Sequence, residues 1–228
     1  MNIRIYQIDN VKDSKKIKFE SFDSTIKYAE KVDPKIYSQV FGGKVYCETL
    51  ENVFAKFNDS EVLGFSGHSM SVSDIVEILY GDNKGTYFCN PVGFKKIDFD
   101  ISQISVNSLL KILVVEPNKE PYQLEIQDDY KTMQGIVGGL IEAYYPFEDN
   151  AFIFCNDEGK IIGLEGNRRI GSIVLAGTFF IVGDGTDGEC CSLSDEQFEK
   201  YSEMFFKPEQ IMQEEVQADQ GFIITSFN

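Results

Sequence analysis

The residues best suited to chemistry fall into three short groups. The first is 68–74, His-Ser-Met-Ser-Val-Ser-Asp, which carries the one histidine of the chain. A helix starting at Ser71 would aim free backbone amides at an anion. The hydroxyls of Ser69, Ser71 and Ser73 would hold that anion, and His68 would add a charge that switches near neutral pH. On the plainer reading Ser71 caps the helix and His68 is a half-buried, hydrogen-bonded residue. A hydrolase built on Ser69, His68 and Asp74 is disfavoured, because neighbours in sequence rarely converge and no G-x-S-x-G elbow occurs. The second group is Arg168 and Arg169, which with Arg4 are the arginines of the chain. They either grip an anionic ligand bidentately or answer local carboxylates.

The third group is the run 183–188, Gly-Asp-Gly-Thr-Asp-Gly. Its acids would repel phosphate and no lysine follows. Calcium could use Asp184, Asp187 and Glu189, but the EF-hand spacing is missing, and a surface turn accounts for the glycines. No metal and no cofactor are expected. The paired acids Asp128 and Asp129, Glu148 and Asp149, and Asp157 and Glu158 border expected helices and hairpins and should be exposed. Acid–base catalysis needs two carboxyls converging with split pKa values. Pairs adjacent in sequence suit an acidic surface instead.

Composition narrows the field. The chain has 228 residues and is 43% hydrophobic, enough for one large or two small domains. Tryptophan is absent, and a single histidine removes most zinc and most histidine-based catalysis. The net charge of −16 opposes direct nucleic-acid binding. No apolar run approaches the roughly 20 residues of a membrane span. The start alternates Ile3, Ile5, Ile8 like a strand, so no signal peptide is expected. The five cysteines are odd in number, include the neighbours Cys190 and Cys191, and form no C-x-x-C. That pattern predicts reduced thiols and a cytoplasmic protein.

Charge is unevenly spread. Residues 1–107 hold 13 Lys+Arg and 15 Asp+Glu, whereas residues 108–228 hold 8 and 22. The shift predicts two units, an α+β domain at 1–106 and an acidic α+β domain at 107–208, joined near 102–108. An acidic tail with an apolar strip at 222–227 would complete the chain at 209–228.

The elements that must position these residues follow from periodicity. In the first half a strand at 3–8 precedes a helix at 22–32 ended by Pro34. Strands at 35–41 and 44–47 flank Gly42-Gly43 as a hairpin. Thr49 caps a short helix carrying Leu50, Val53, Phe54 and Phe57. A helix from Ser71 would bury Val72, Ile75, Val76 and Leu79 and stop at Gly81. Strands follow at 86–89 and 94–99.

In the second half, strands at 111–116 and 122–126 lead to a helix whose stripe is Met133, Ile136, Val137, Leu140 and Ile141. Gly138 and Gly139 would lie inside that helix, at about 1 kcal/mol each. A hairpin of 151–155 with 160–164 and a long buried strand at 173–182 come next. A capping box at Ser194 and Gln197 starts a last helix, with Phe198, Tyr201 and Phe205 facing inward.

These residues also carry a resemblance. The stretch 65–76, Phe-Ser-Gly-His-Ser-Met-Ser-Val-Ser-Asp-Ile-Val, with 87–94, Tyr-Phe-Cys-Asn-Pro-Val-Gly-Phe, resembles the YodL-like domain of conjugative-element and phage accessory proteins. Residues 112–206 resemble a second domain of unknown function from similar mobile DNA. Leu113-Val-Val-Glu-Pro117, Val137-Gly-Gly-Leu-Ile-Glu142, Cys155-Asn-Asp-Glu-Gly159 and Ala176-Gly-Thr-Phe-Phe180 carry it. Neither resemblance brings a catalytic set. It implies a bacterial mobile-element accessory protein, a setting in which proteins that blunt host defence are common.

The combined expectation is an α+β protein of two small domains, each a mostly antiparallel sheet with packed helices. It would be a non-enzymatic acidic interaction protein. Its basic bacterial partner would serve defence or handle nucleic acid, and the carboxylates would imitate a phosphate backbone. The alternative is a small-ligand module that holds an anion or nucleotide at His68 or at Arg168 and Arg169.

Overall fold

The computed structural model describes residues 1–104 and 109–219. Residues 105–108, within the expected joint, and the apolar strip at 222–227 lie outside the described residues. The chain folds as two compact units. The first is Met1–Leu109 with Glu125–Gln127, and the second is Leu110–Leu124 with the chain from Asp128 on. Both are α+β, with mostly antiparallel strands.

The first unit contains β1 (Asn2–Ile8), α1 (Phe22–Ala29), β2 (Tyr37–Lys44), α2 (Leu50–Asp59), β3 (Ile75–Ile78), β4 (Gly85–Cys89) and β5 (Phe94–Ile97). Its strands lie in the order β5-β4-β3-β1-β2. Ser21 caps α1 by accepting from Ser24 N, and Thr49, the cap the sequence predicts, forms a capping box with Asn52. Tyr6, Ile8, Tyr37, Ile75, Phe88 and Phe99 pack as the core between sheet and α1.

Two expectations are overturned here. Gly42 and Gly43 do not turn the chain; β2 runs straight through them, with Gly42 opposite Arg4 and Gly43 opposite Ile3. Neither glycine has a positive φ. Space is what Gly42 provides, since a Cβ there would collide with the side chains of Glu125 and Gln39. Glu125, grouped with this unit, accepts two bonds from Arg4 (2.9 and 2.7 Å) and one from Gln39 (2.6 Å). The helix from Ser71 is absent as well. Residues 71–74 make a tight turn with Ser73 at φ 78, and the apolar run continues as β3 between β1 and β4. Ile75, Val76 and Ile78 are β-branched and all three are buried, which a central strand accommodates and a one-sided helix does not.

The second unit contains β6 (Leu109–Val115), β7 (Tyr122–Gln127), α3 (Tyr130–Val137), β8 (Ile141–Tyr144), β9 (Ala151–Asn156), β10 (Gly166–Ile170), β11 (Ile173–Ala176), β12 (Phe179–Asp184), β13 (Cys190–Cys191), α4 (Asp195–Met204) and α5 (Gln213–Ala218). The sheet order is β7-β6-β12-β9-β8, with β13 beside the end of β12 and β10–β11 as a separate pair. Leu113, Val115, Ile153, Phe179 and Ile181 line one face and meet Leu175 together with Tyr201 and Phe205 at the end of α4.

The predicted helix at 133–141 is shorter than its apolar stripe. Gly138 takes a left-handed φ of 73 and ends α3, so Leu140 is exposed and Ile141 opens β8. The predicted partner of β9 at 160–164 is a turn, and β9 pairs with β8 and β12 instead. Gly177, at φ 76, breaks the expected strand at 173–182 into β11 and β12. Residues 209–219 do not trail away. Val216 of α5 is buried with Val174 and Ala176, and Asp219 accepts from Lys160 Nζ (2.6 Å) and Val174 N (2.8 Å).

Candidate functional site

In the first unit, residues 65–74 wrap a buried polar cluster. The Gln7 side chain is its hub. Its Nε2 donates to the His68 carbonyl (2.8 Å) and to Asp74 Oδ2 (2.9 Å), and its Oε1 accepts from His68 N (3.0 Å). Gly67 permits that clamp, because a Cβ there would strike Gln7 Oε1. With both Gln7 hydrogens committed, the His68 Nδ1–H donates to the Ser69 carbonyl (2.7 Å). Among the described residues, His68 Nε2 is buried without a hydrogen-bond partner, and the ring sits edge-on to Phe19 at 5.6 Å.

Asp74 is 1% exposed. Its Oδ2 also accepts from Ser71 N (2.8 Å), while Oδ1 has no partner among the described residues. Burial pushes its carboxyl up to about 7, against the pull of the Ser71 amide, Gln7 and the charge of Lys18. Nearby, Ser73 Oγ accepts from Phe19 N and the Ser73 carbonyl accepts from the Tyr37 hydroxyl. Burial, reinforced by Asp74, pushes the Cys89 thiol up to about 12.

The anion site expected at His68, Ser69, Ser71 and Ser73 therefore lacks its helix. Ser71 Oγ donates to the Ser69 carbonyl (3.0 Å), Ser73 is buried, and the Ser71 amide faces a carboxylate of the protein itself. No hydroxyl is bonded to His68 among the described residues, so no nucleophile–base pair is assembled. Sequence reasoning missed Gln7, whose role arises from a contact 61 residues away in sequence.

Arg168 and Arg169 part company in the second unit. Arg168 is 1% exposed, and its donors go to the carbonyls of Phe205, Lys119 and Asn167 and to Asn167 Oδ1, at 2.8–3.2 Å. A guanidinium has five N–H donors, and five bonds are made, leaving nothing to grip a ligand. Burial lowers its pKa, partly countered by Glu209. Arg169 answers carboxylates, donating to Glu209 Oε2 (2.9 Å) and Glu215 Oε1 (2.8 Å).

The six paired acids also divide. Asp128, Glu148, Asp157 and Glu158 are exposed and join no ion pair among the described residues. Asp129 caps α3 by accepting from Thr132 N (2.9 Å). Asp149 is half-buried and accepts from Lys200 (2.9 Å) and from the Tyr201 hydroxyl. Those two acids have structural work.

Burial raises the thiols of Cys155 to about 12 and Cys190 to about 11, which disfavours the reactive thiolate at both. No group of three or more His, Cys, Asp or Glu among the described residues is placed to hold a metal. Nor is any described helix long and apolar enough to cross a membrane.

The chain is thus a pair of α+β units, one with a sealed polar cluster and one with an acidic exterior. Residues 2–99 match the family model of the YodL-like domain, and residues 110–206 match that of a domain of unknown function, DUF3846. The two matched regions follow one another in that order, and each spans a little under half of the chain. No curated protein and no solved structure matches it.

Proposed function

We propose that the chain is a non-enzymatic, acidic interaction protein of a bacterial mobile element or phage, acting in the cytoplasm. Its second unit engages a basic bacterial protein of host defence or nucleic-acid handling, presenting carboxylates where that partner meets phosphates. The supporting observation is where the positive charge goes. Lys111, Lys119, Lys160, Arg169 and Lys200 each pair with a carboxylate of the same unit, and Arg168 is buried against carbonyls. Lys131 and Lys207 are the remaining cations of 108–228 and both are exposed, but with 22 Asp+Glu to 8 Lys+Arg in that stretch the carboxylates far outnumber them. Such a surface steers a basic partner over long range.

Affinity capture from bacterial lysate, with the full chain as bait, tests this. Capture should fall steeply between about 50 and 300 mM salt, because screening shortens to under 10 Å over that range. Duplex DNA should displace the captured protein. Reversing charge at Asp128, Glu148, Asp157 and Glu158 should weaken capture chiefly through the on-rate. Capture that is indifferent to salt, to DNA and to the four reversals would sink the proposal.

A further inference from the structure

β8 closes the second unit's sheet, and among the described residues it pairs on one side only, with β9. Its register sets Ile141 opposite Asn156, Glu142 opposite Cys155, Ala143 opposite Phe154 and Tyr144 opposite Ile153. One step earlier, Asp157 N donates to the Leu140 carbonyl at 3.0 Å. Hydrogen-bonded and non-hydrogen-bonded pairs alternate along an antiparallel ladder. Glu142 and Tyr144 therefore exchange bonds with β9, whereas Ile141 and Ala143 direct their N–H and C=O groups outward. None of the four residues is buried.

The edge also lacks the lysines that guard the first unit's edge. In the first unit the edge strand β5 carries Lys95, stacked 3.7 Å from the Phe22 ring, and Lys96 over Tyr87. Such lysines repel an incoming strand. β8 reads Ile-Glu-Ala-Tyr, with neither lysine nor proline. Glu142 lies in the strand, and Asp157 and Glu158 are exposed beside its start. Burial and the charge of Asp157 hold the Glu142 carboxyl above its ordinary value, opposed by Lys160, which is already paired with Asp219. Leu140 and Tyr145, both largely exposed, bracket the strand with apolar surface.

We propose that the outer edge of β8 is a strand-addition site for an extended segment of the partner in which basic and apolar residues alternate. This deepens the acidic-interaction reading and rests on it. Main-chain bonds from Ile141 and Ala143 supply affinity, and Glu142, Asp157 and Glu158 select cations.

The test uses the full chain and a short, fluorescently labelled peptide of alternating Lys and Val. A second version is N-methylated on alternate residues, which removes the donors of one edge and leaves the charge intact. A third replaces Lys by Glu. The Lys–Val peptide should bind, the methylated version about tenfold or more weaker, and the Glu–Val version not at all. Hydrogen exchange at the amides of Ile141 and Ala143 should slow when the Lys–Val peptide is added.

Equal binding of the plain and methylated Lys peptides overturns strand addition and leaves the charge-based role standing. Equal binding of the Lys and Glu peptides overturns both. Absence of binding, or amides of Ile141 and Ala143 already protected in the free chain, also overturns the site. In the latter case the edge is already covered, for example by a second copy of the chain.

Discussion

Asp74 shows what a single buried carboxyl does to this fold. Its folded pKa of about 7 lies above the ordinary 3.8, so the folded state holds a proton that the unfolded chain releases. The stability this confers is complete below about pH 4 and is lost as pH rises through 7. Asp74→Asn keeps an acceptor for Ser71 N and Gln7 and removes the charge. The difference in urea-unfolding free energy between the variant and the parent should therefore grow by a few kcal/mol from pH 5 to pH 8 in favour of Asn. A difference that is flat with pH would show that Asp74 does not titrate in this range. Arg168 makes the complementary case. Arg168→Met should cost about 3 kcal/mol or more, because the carbonyls of Phe205, Lys119 and Asn167 lose their donor in the interior. Thermal melting reads this directly, and an unchanged Tm would mean those carbonyls find other partners.

At the scale of elements, glycine decides where helices and strands stop. Gly138 ends α3 with a left-handed φ, and open space surrounds the position a Cβ would take. Gly138→Ala should therefore cost about 1 kcal/mol from backbone strain alone. A loss well above that would mean an unseen clash, and no loss would mean the cap relaxes. The caps divide the acidic pairs in the same way. Asp129→Lys removes the N-cap of α3 and should cost about 1–2 kcal/mol. Asp128→Lys, one residue earlier and exposed, should leave Tm nearly unchanged. Equal effects at the two positions would contradict the cap geometry.

At the scale of the molecule, the units are not the two sequential halves that the charge shift suggests. Glu125–Gln127 belongs with residues 1–109, and Glu125 there receives Arg4 and Gln39. A fragment of residues 1–104 leaves Arg4 with Glu77 alone, at 3.7 Å. It should melt several degrees below the first unit of the full chain. Glu125→Ala in the full chain should reproduce about 1–3 kcal/mol of that loss. A fragment as stable as the intact unit would make Glu125 dispensable.

Much of this protein is determined by sequence acting locally. The caps at Thr49 and Ser194, the stripe of α3 up to Val137, the strands β1, β6 and β9 and the acidic character of 108–228 depend on neighbours within a few residues, and all were legible. The strand at 75–78 was misread because a short run with three β-branched residues, Ile75, Val76 and Ile78, suits either period, and its place between β1 and β4 settles the choice. Gly42 read as a turn because its reason for being glycine is Glu125, far along the chain. The same holds for function. That the second half is acidic is a matter of composition, but which carboxylates remain exposed is not. Lys200 and Tyr201 claim Asp149, and Arg169 claims Glu209 and Glu215, through contacts 40 to 52 residues apart. Pairing across such distances costs loop-closure entropy that only a packed core offsets. The tertiary structure alone therefore decides which charges are left for a partner.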